Sequence, residues 1–516
     1  MRENRESPQS GRRCCGPVGE GLWPNARHVR LWEVRHRHST DDSAERGHQP
    51  LKEANEERTM TKGNSKQPPG DQAQNWADPL PGLGRIGQAA RRDKAQRFSS
   101  LMHHISPALL RESFFGLRTD AAVGVDEQTW EQYAQGLGER LSDLHERVQS
   151  GRYRAKPAKR IYIPKQDGSK RPIGIAALED KIVQAAVVRV LGQIYEADFL
   201  GFSYGFRSKR GAHNALDAVW MGIMRRKINW VLDADIRSFF DSLDHDWMMK
   251  FVEHRVSDPR ILRLIRKWLR AGVSEEGQWS KTTVGTPQGS VISPLLANIF
   301  LHYVLDLWVE KWRRTHARGD VIIVRYADDF VMGFQYESDA QQCLEALVQR
   351  LGKFNLQVHE QKTRLIEFGR FAERDRTARG EAKPETFDFL GFTHICAKTR
   401  KNNRFTIRRK PIAKRMGRKL KQIKGELLKR RHEHVAQQGD WISSVVQGYL
   451  NYFAVPGTAE VLSTFRKQVC RTWLRALRRR SHKARKLTWK RMEKLFETWV
   501  PKVRIIHPYP NERLFV

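Results

Sequence analysis

Val321-Ile-Ile-Val-Arg-Tyr-Ala-Asp-Asp-Phe-Val-Met-Gly-Phe334 is the stretch that decides the fold. Its flanks are β-branched and aromatic, as in strands, but the adjacent acids Asp328 and Asp329 interrupt the apolar run. A β-hairpin that turns at the acids resolves this conflict, because both flanks can pair while the carboxylates stay at the bend. Taken alone, the pattern fits a plain polar turn as well as it fits a functional pair of acids.

A second group of acids follows a similar apolar start in Trp230-Val-Leu-Asp-Ala-Asp-Ile-Arg-Ser-Phe-Phe-Asp241. We expect Asp235 to be the partner of the first pair. Asp233 and Asp241 compete for this role, and strand alternation places Asp233 on the same face as Asp235. Two strands that bring carboxylates to one sheet edge can hold two Mg²⁺ ions about 4 Å apart. Such a pair would activate a 3′-hydroxyl and stabilise a leaving pyrophosphate.

A third block, Gly285-Thr-Pro-Gln-Gly-Ser-Val-Ile-Ser-Pro-Leu-Leu-Ala-Asn298, lies between the two acidic stretches. Three blocks in this order, with further matching blocks on both sides, resemble the reverse transcriptases encoded by group II introns. The resemblance covers roughly residues 85 to 516. It implies an RNA-directed DNA polymerase that binds its intron RNA, assists splicing and supports intron mobility by target-primed reverse transcription.

The resemblance also implies the site residues. It makes Asp235, Asp328 and Asp329 the catalytic acids, with two Mg²⁺ ions held by Asp235, Ile236 and Asp328. It places five residues around the incoming deoxynucleoside triphosphate: Lys165, Arg171, Phe240, Gln288 and Lys362.

Four of these residues can also be interpreted from the sequence itself. Lys165 and Arg171 belong to a basic hairpin over residues 160–175, where cations could offset charge on the transferring phosphates. In the family, a bulky side chain at the position of Phe240 excludes nucleotides that carry a 2′-hydroxyl, and we call this residue the sugar gate. The alternative is that Phe239 and Phe240 are both core residues. We expect one of the two to be a core residue and the other to be the gate. Lys362 is explained equally well as a surface lysine.

Contacts with RNA are expected in two places. Arg207, in a block that resembles a family motif near the template, is a candidate for the template backbone. Residues 471–491, the basic segment, carry ten Lys or Arg and no acid, with Trp473 and Trp489 interleaved. Aromatic and Arg side chains can stack on RNA bases. We therefore predict an RNA-binding surface that includes Arg478, Arg479, Arg480, Lys483, Arg485 and Lys486.

Composition agrees with a polyanionic partner. The 516 residues hold 93 Lys and Arg against 58 Asp and Glu, a formal charge of +35, while 39% are hydrophobic. Such a chain can form cores, and nucleic acid would relieve its self-repulsion. An anionic membrane surface is a weaker candidate, and no apolar run is long enough to span a bilayer. Five scattered cysteines without a Cys-x-x-Cys pair predict a reducing, cytoplasmic setting.

The predicted fold class is α+β, with a right-hand polymerase followed by helices. Residues 1–84 are predicted to be poorly structured, and residues 1–59 to precede a natural start at Met60. Fingers and palm, with an N-terminal extension, are assigned to residues 85–395. A helical thumb and maturase domain is assigned to residues 396–516. Larger family members add an endonuclease module, which we do not find here, so we expect no cleavage of the second strand of the target DNA.

Two other functions remain open at this stage. One is a reverse transcriptase domesticated for repair or defence, which the gene's neighbourhood would distinguish from an intron-encoded protein. The other is a splicing factor that binds RNA without polymerising. The intact acids Asp235, Asp328 and Asp329 speak against it.

Overall fold

The structure, a computed structural model, describes residues 82–164, 170–275, 278–280, 284–286 and 289–514. The predictions for residues 1–81, including the start at Met60, and those for Lys165 and Gln288 lie outside the described residues. By internal contacts, Gly63–Val516 forms one unit, and every element below belongs to it.

Helices occupy most of the described chain. In order they are α1 (Leu83–Arg92), α2 (Pro107–Phe115), α3 (Trp130–Ala134), α4 (Leu137–Gln149), α5 (Leu178–Asp198), α6 (Ala212–Arg225), α7 (His245–Glu253), α8 (Pro259–Arg270), α9 (Ser293–Leu301), α10 (Leu307–Thr315), α11 (Glu337–Gly352), α12 (Ala372–Ala378), α13 (Ala413–Lys429), α14 (Val435–Phe453), α15 (Ala459–Arg478), α16 (Trp489–Trp499) and α17 (Pro510–Leu514). A π-helical turn, His302–Asp306, joins α9 to α10.

Strands form three sheets. In order they are β1 (Ala158–Pro164), β2 (Lys170–Ile175), β3 (Trp230–Asp235), β4 (Val273–Glu275), β5 (Gln278–Ser280), β6 (Val321–Tyr326), β7 (Asp329–Phe334), β8 (Arg364–Glu367), β9 (Phe387–Phe389), β10 (Phe392–Lys398) and β11 (Phe405–Pro411). The sheet orders are β2-β1-β4-β5, β6-β7-β3-β8 and β11-β10-β9. Helices together with sheets that are antiparallel except for the β1–β4 pair confirm the α+β class.

The N-terminal helices pack against α5, which is buried on nearly all sides, from Leu178 to Tyr195. Local signals begin two of them. Ser106 caps α2 by accepting the Leu109 N–H, and Thr129 forms a capping box with Gln132 at the start of α3. These helices and the acid-bearing strands contribute to one continuous apolar core.

The central sheet, β6-β7-β3-β8, confirms both strand predictions around the acids. β6 and β7 pair antiparallel across a turn at Ala327 and Asp328, with Tyr326 opposite Asp329. β3 lies on the other side of β7 and places Asp235 opposite Asp329. Cross-strand partners project from the same face of a sheet, so the register alone brings two of the predicted catalytic acids together.

The third sheet bears on the predicted domain boundary. The division between residues 395 and 396 falls inside β10, which pairs with β11 along its whole length. The C-terminal helical part therefore begins after Pro411, at α13. Its helices surround a core of their own, in which Trp473 is fully buried.

Candidate active site

The turn that carries Asp328 has an unusual backbone. Ala327 has φ +58°, a left-handed conformation that a non-glycine residue seldom adopts. Gly205 packs against this turn, and a Cβ added there would overlap the backbone nitrogen of Ala327 and lie 2.9 Å from the carbonyl carbon of Tyr326. The glycine of the Phe202–Arg207 block thus allows two backbones to meet beside the acids.

Four carboxylates, Asp233, Asp235, Asp328 and Asp329, form the acid cluster at this end of the central sheet. Burial, together with the charges of the other three acids, raises the pKa of Asp329 to about 7. Burial also raises the pKa of Asp328; Asp235 adds to the shift, whereas Arg171 and Arg325 oppose it. Burial and the neighbouring carboxylates thus both oppose ionisation of Asp328 and Asp329.

Two members of the acid cluster have basic partners. The Lys362 Nζ lies 2.7 Å from Asp235 Oδ2, so Lys362 is at the site and not on a remote surface. Arg364 Nη2 lies 3.6 Å from Asp233 Oδ2. Burial raises the pKa of Asp233 to about 6 despite the opposing charge of Arg364. The competitor Asp233 is thus at the cluster, but with a cation of its own.

The other competitor, Asp241, is not a member of the acid cluster. It is exposed at the end of a short 3-10 turn, Phe239–Asp241, and lines a cavity of about 290 Å³ with Arg160 and Tyr162. Of the acids that sequence left open, the structure therefore gathers Asp233 with the predicted three.

Phe239 and Phe240, the two phenylalanines considered for the contact with the nucleotide sugar, differ in burial. Phe239 is 2% exposed and belongs to the core, whereas Phe240 is half-buried at its edge. The Phe240 carbonyl accepts the Thr286 N–H at 2.9 Å. Gly285 has φ +84°, and a Cβ there would stand 3.0 Å from the same carbonyl oxygen. The glycine-rich loop is thus bonded to the backbone of the predicted gate.

Two arginines approach the acid cluster from other parts of the chain. Arg171 on β2 is exposed and lowers the pKa of Asp328 through its charge. Arg415 on α13 does the same for Asp329. Arg415 was not predicted from the sequence, because one arginine in a densely basic helix carries no distinguishing signal.

The prediction that Arg207 contacts the template is wrong. Its side chain is 3% exposed, pairs with Glu196 at 2.7 Å and donates to the carbonyls of Leu200 and Ser203. With these partners it stabilises the loop after α5 and does not face solvent.

Trp473 does not stack on RNA either, because it is fully buried and donates its indole N–H to Gln438 Oε1. Other parts of the basic segment are accessible. Arg478, Arg479, Lys483, Arg485, Lys486 and Trp489 are exposed, and Arg480 is half-buried. Between α13 and α15, a cleft of about 450 Å³ is lined by Lys424, Arg475, Arg478 and Arg479.

The donors at the acid cluster suit a hard divalent cation. They are carboxylate oxygens, and the pKa values of Asp328 and Asp329 are raised first by burial and then by neighbouring carboxylates. Mg²⁺ is commonly held by one or two carboxylates together with substrate phosphates. Within the described ranges, no group of three or more His, Cys, Asp and Glu side chains is arranged to hold a metal ion by itself.

Comparisons with known proteins point to one family. A family model described as reverse transcriptase (RNA-dependent DNA polymerase) matches residues 163–394. Protein YkfC of Escherichia coli (strain K12) is 35% identical over 262 residues, which cover 44% of this chain and 68% of YkfC. The group II intron-encoded protein LtrA of Lactococcus lactis subsp. cremoris is 36% identical over 211 residues, which cover 39% of this chain and 33% of LtrA.

A more distant relative is the mitochondrial nuclear intron maturase 4 of Arabidopsis thaliana, 26% identical over 209 residues, 40% of this chain and 25% of the maturase. The chain thus covers more than two thirds of YkfC but only a third of LtrA.

Reverse transcriptase domains act on nucleic acid and depend on divalent metal ions. In the part of the chain that the structure describes, no helix is both long and apolar enough to cross a bilayer. The matched range contains all three sequence blocks and the whole acid cluster. The chain belongs to the reverse transcriptases encoded by group II introns, which are RNA-directed DNA polymerases.

Proposed function

We propose that this chain copies RNA into DNA at the acid cluster with two Mg²⁺ ions and deoxynucleoside triphosphates. Asp235, Asp328 and the Ile236 carbonyl would hold the ions, and Asp329 would add charge beside them. The observation that carries the proposal is the register of the central sheet, which sets Asp235 opposite Asp329 and next to the Asp328 turn. When bound, the ions would activate the primer 3′-hydroxyl and stabilise the leaving pyrophosphate.

Basic residues around the acids have a role in the same reaction. Lys362 contacts Asp235 and can exchange this partner for a triphosphate oxygen when substrate enters. Arg171, whose charge reaches Asp328, would offset charge that builds on the transferring phosphates. Lys165 and Gln288 retain their proposed roles at the triphosphate and the new base pair.

Phe240 would select deoxyribonucleotides. Its half-buried ring packs at the edge of the core, and its backbone is held by Thr286. A ring fixed in this way would meet a 2′-hydroxyl on the incoming sugar, and that clash favours DNA synthesis.

The right-hand assignment follows from these roles. We assign β1, β2 and the N-terminal helices to the fingers, the central sheet to the palm and the helices from α13 onward to the thumb and maturase domain. The effect of Arg415 on Asp329 supports this arrangement, since a thumb lies beside a polymerase site.

The basic segment and the cleft between α13 and α15 would bind the intron RNA. Exposed Arg and Lys side chains suit phosphate contacts, and Trp489, 40% exposed, offers a ring for stacking. The names of LtrA and of the Arabidopsis maturase connect these relatives with introns. We propose that this chain likewise stabilises its folded intron RNA, assists its splicing and returns it to target DNA by reverse transcription.

Primer extension tests the polymerase proposal. Protein starting at Met60 receives an annealed RNA template and DNA primer, Mg²⁺ and either deoxy- or ribonucleotides. We expect extension with deoxynucleotides only, and none by the Asp235→Asn variant. A well-folded wild-type protein that extends no primer would contradict the proposed polymerase role.

A further inference from the structure

Arg325, directly before the catalytic turn, is completely buried and uses every donor of its guanidinium. Nε and Nη2 donate to the two carboxylate oxygens of Asp306 at 2.7 and 2.6 Å. Nη1 donates to Asn298 Oδ1 at 3.0 Å and to the Ala327 carbonyl at 2.8 Å. Nη2 also donates to Ser203 Oγ at 2.8 Å. All five N–H groups of the guanidinium thus have a partner.

These partners, which together we call the Arg325 network, come from separate parts of the sequence. Ser203 lies in the loop after α5, Asn298 is on α9, and Asp306 ends the π-helical turn. A π-turn adds a residue to the helical repeat and so changes which side chains face the neighbouring sheet. Here Asp306, with 0% of its side chain exposed, faces Arg325.

The network acts on the backbone of the turn. The Ala327 carbonyl that Arg325 binds belongs to the peptide that leads into Asp328. Asn298 connects this network to the loop that packs on the turn. Its Nδ2 donates to the Gly205 carbonyl at 2.8 Å, and Gly205 packs against Ala327. The Arg325 backbone also bonds to Phe202 and Tyr204, which fixes that loop along β6.

A purely structural role does not account for this arrangement. A buried ion pair adds little net stability over well-packed apolar residues, because both charges lose their hydration. The chain has another buried pair, Arg255 with Asp198, at 2.8 Å. Arg255 donates to carbonyls near α1 and has no contact with the acid cluster. The Arg325 pair differs in that one of its bonds holds the strained residue beside a catalytic acid.

We propose that Arg325, oriented by Asp306, is a positioning residue that sets the Ala327–Asp328 peptide and thereby the place of the Asp328 carboxylate. The inference rests on the proposed polymerase function of the acid cluster. In this proposal, Asn298 and Ser203 help to hold the guanidinium by accepting hydrogen bonds from it. Catalysis by a positioned group is sensitive to displacements of about 1 Å, which can cost about 100-fold in rate. A looser turn should therefore slow chemistry more than it weakens binding.

The test compares Asp306→Asn and Arg325→Lys with the control Arg255→Lys, in the full chain from Met60. Single-nucleotide incorporation on an RNA template gives the maximal rate, the KM for deoxynucleotide and the Mg²⁺ concentration for half-maximal activity. Thermal unfolding and RNA–primer affinity are measured on the same samples. We expect the two network variants to lose about 10-fold or more in rate and to need more Mg²⁺. Their KM and RNA–primer affinity should stay within about 2-fold.

Ser203→Ala is the mild variant, since it removes one hydrogen bond and leaves the ion pair in place. We expect it to fold and to lose about 3-fold in rate, with unchanged RNA–primer affinity. This variant decides the outcome if Asp306→Asn and Arg325→Lys fail to fold.

The proposal is overturned if the network variants and Arg255→Lys lose stability alike while the rate per folded molecule stays at the wild-type value. It is also overturned if Ser203→Ala folds and keeps the full rate and Mg²⁺ response. A failure of the proposed polymerase function would look different, because the wild-type protein itself would then extend no primer.

Discussion

The central sheet and the C-terminal helices use charge in opposite ways. At the central sheet, Arg325 is completely buried, pairs with the equally buried Asp306 of the π-helical turn and donates to the Ala327 carbonyl. On the C-terminal helices, the charges of the basic segment project into solvent from a largely apolar core that contains the Trp473–Gln438 bond. Charge that performs chemistry must be held in place, whereas charge that binds a polyanion needs only to be accessible. The two regions should therefore fail separately when mutated.

The largest effect is expected when one acid of the turn is removed. Asp328→Ala takes away a proposed metal ligand, so we expect polymerisation to fall by about 1,000-fold or more. RNA affinity should stay within about 2-fold, because the basic segment is unchanged. Burst-phase incorporation and filter binding on one protein sample measure both quantities. A large parallel loss of RNA binding would show that the regions are not separable.

The converse change removes charge from the C-terminal helices. We expect Arg479→Glu, Lys483→Glu and Arg485→Glu together to weaken RNA binding by about 30-fold at moderate salt. They should also lower the salt dependence by about 2 units of slope, since each lost single-strand phosphate contact accounts for about 0.7. Titration of labelled RNA at several salt concentrations measures both effects.

A matched control carries the same change in charge elsewhere. Lys227→Glu, Lys311→Glu and Lys353→Glu reverse three exposed lysines outside the basic segment. If the control weakens binding as much as the first set, the affinity comes from net charge and not from a defined surface.

A smaller effect is expected at the sugar gate. Phe240→Ala should raise incorporation of ribonucleotides relative to deoxynucleotides by about 10-fold, since a steric contact of this kind contributes about 1–3 kcal/mol. Gly285→Ala should act in the same direction more weakly, because its Cβ would push on the Phe240 carbonyl. Competition between the two nucleotide types at one template position gives the ratio. If the ratio were unchanged in Phe240→Ala, Phe240 would not select between the two nucleotide types.

The smallest effect concerns the contact between the C-terminal segment and α6. His213 stacks on His507 at 3.8 Å and contacts the Tyr452 carbonyl, and burial, with His507, lowers its pKa to about 4. Its folded-state pKa lies below the unfolded value of about 6.5, so the unfolded state binds more protons between these values. Stability should therefore fall as pH drops from about 6.5 to 4.

His213→Gln should reduce that loss, and thermal unfolding at pH 7 and pH 5 measures the difference. An identical pH response in the variant and the wild type would assign the acid sensitivity to other groups, such as the buried His302 and His394.

Sequence periodicity predicted the strands around the acids but not which charged side chains are buried. The hairpin at Asp328 and Asp329 and the strand before Asp235 followed from apolar runs interrupted by acids, and both are confirmed. Arg325 was passed over because nothing in a strand pattern marks an arginine as buried. Its burial depends on Asp306 and Asn298, which become neighbours only after folding.

Arg207 and Trp473 show the same limit, because both were predicted to contact RNA and both are buried. Both residue types are common in nucleic-acid interfaces, but both of these side chains are buried. A residue type indicates chemistry, and only tertiary contacts decide whether that chemistry faces solvent. The exposed side chains of the basic segment are different, because a run without acids leaves few internal partners for its cations.

The most direct test of whether the two regions work separately measures two properties of two purified variants. Nucleotide incorporation at saturating RNA–primer and the Kd for RNA are measured for Asp328→Ala and for the Arg479, Lys483 and Arg485 charge reversals. We expect the first variant to lose incorporation and to keep its Kd. We expect the second to raise its Kd and to keep incorporation once RNA is saturating. If either folded variant lost both properties together, the central claim that the two regions work separately would be contradicted.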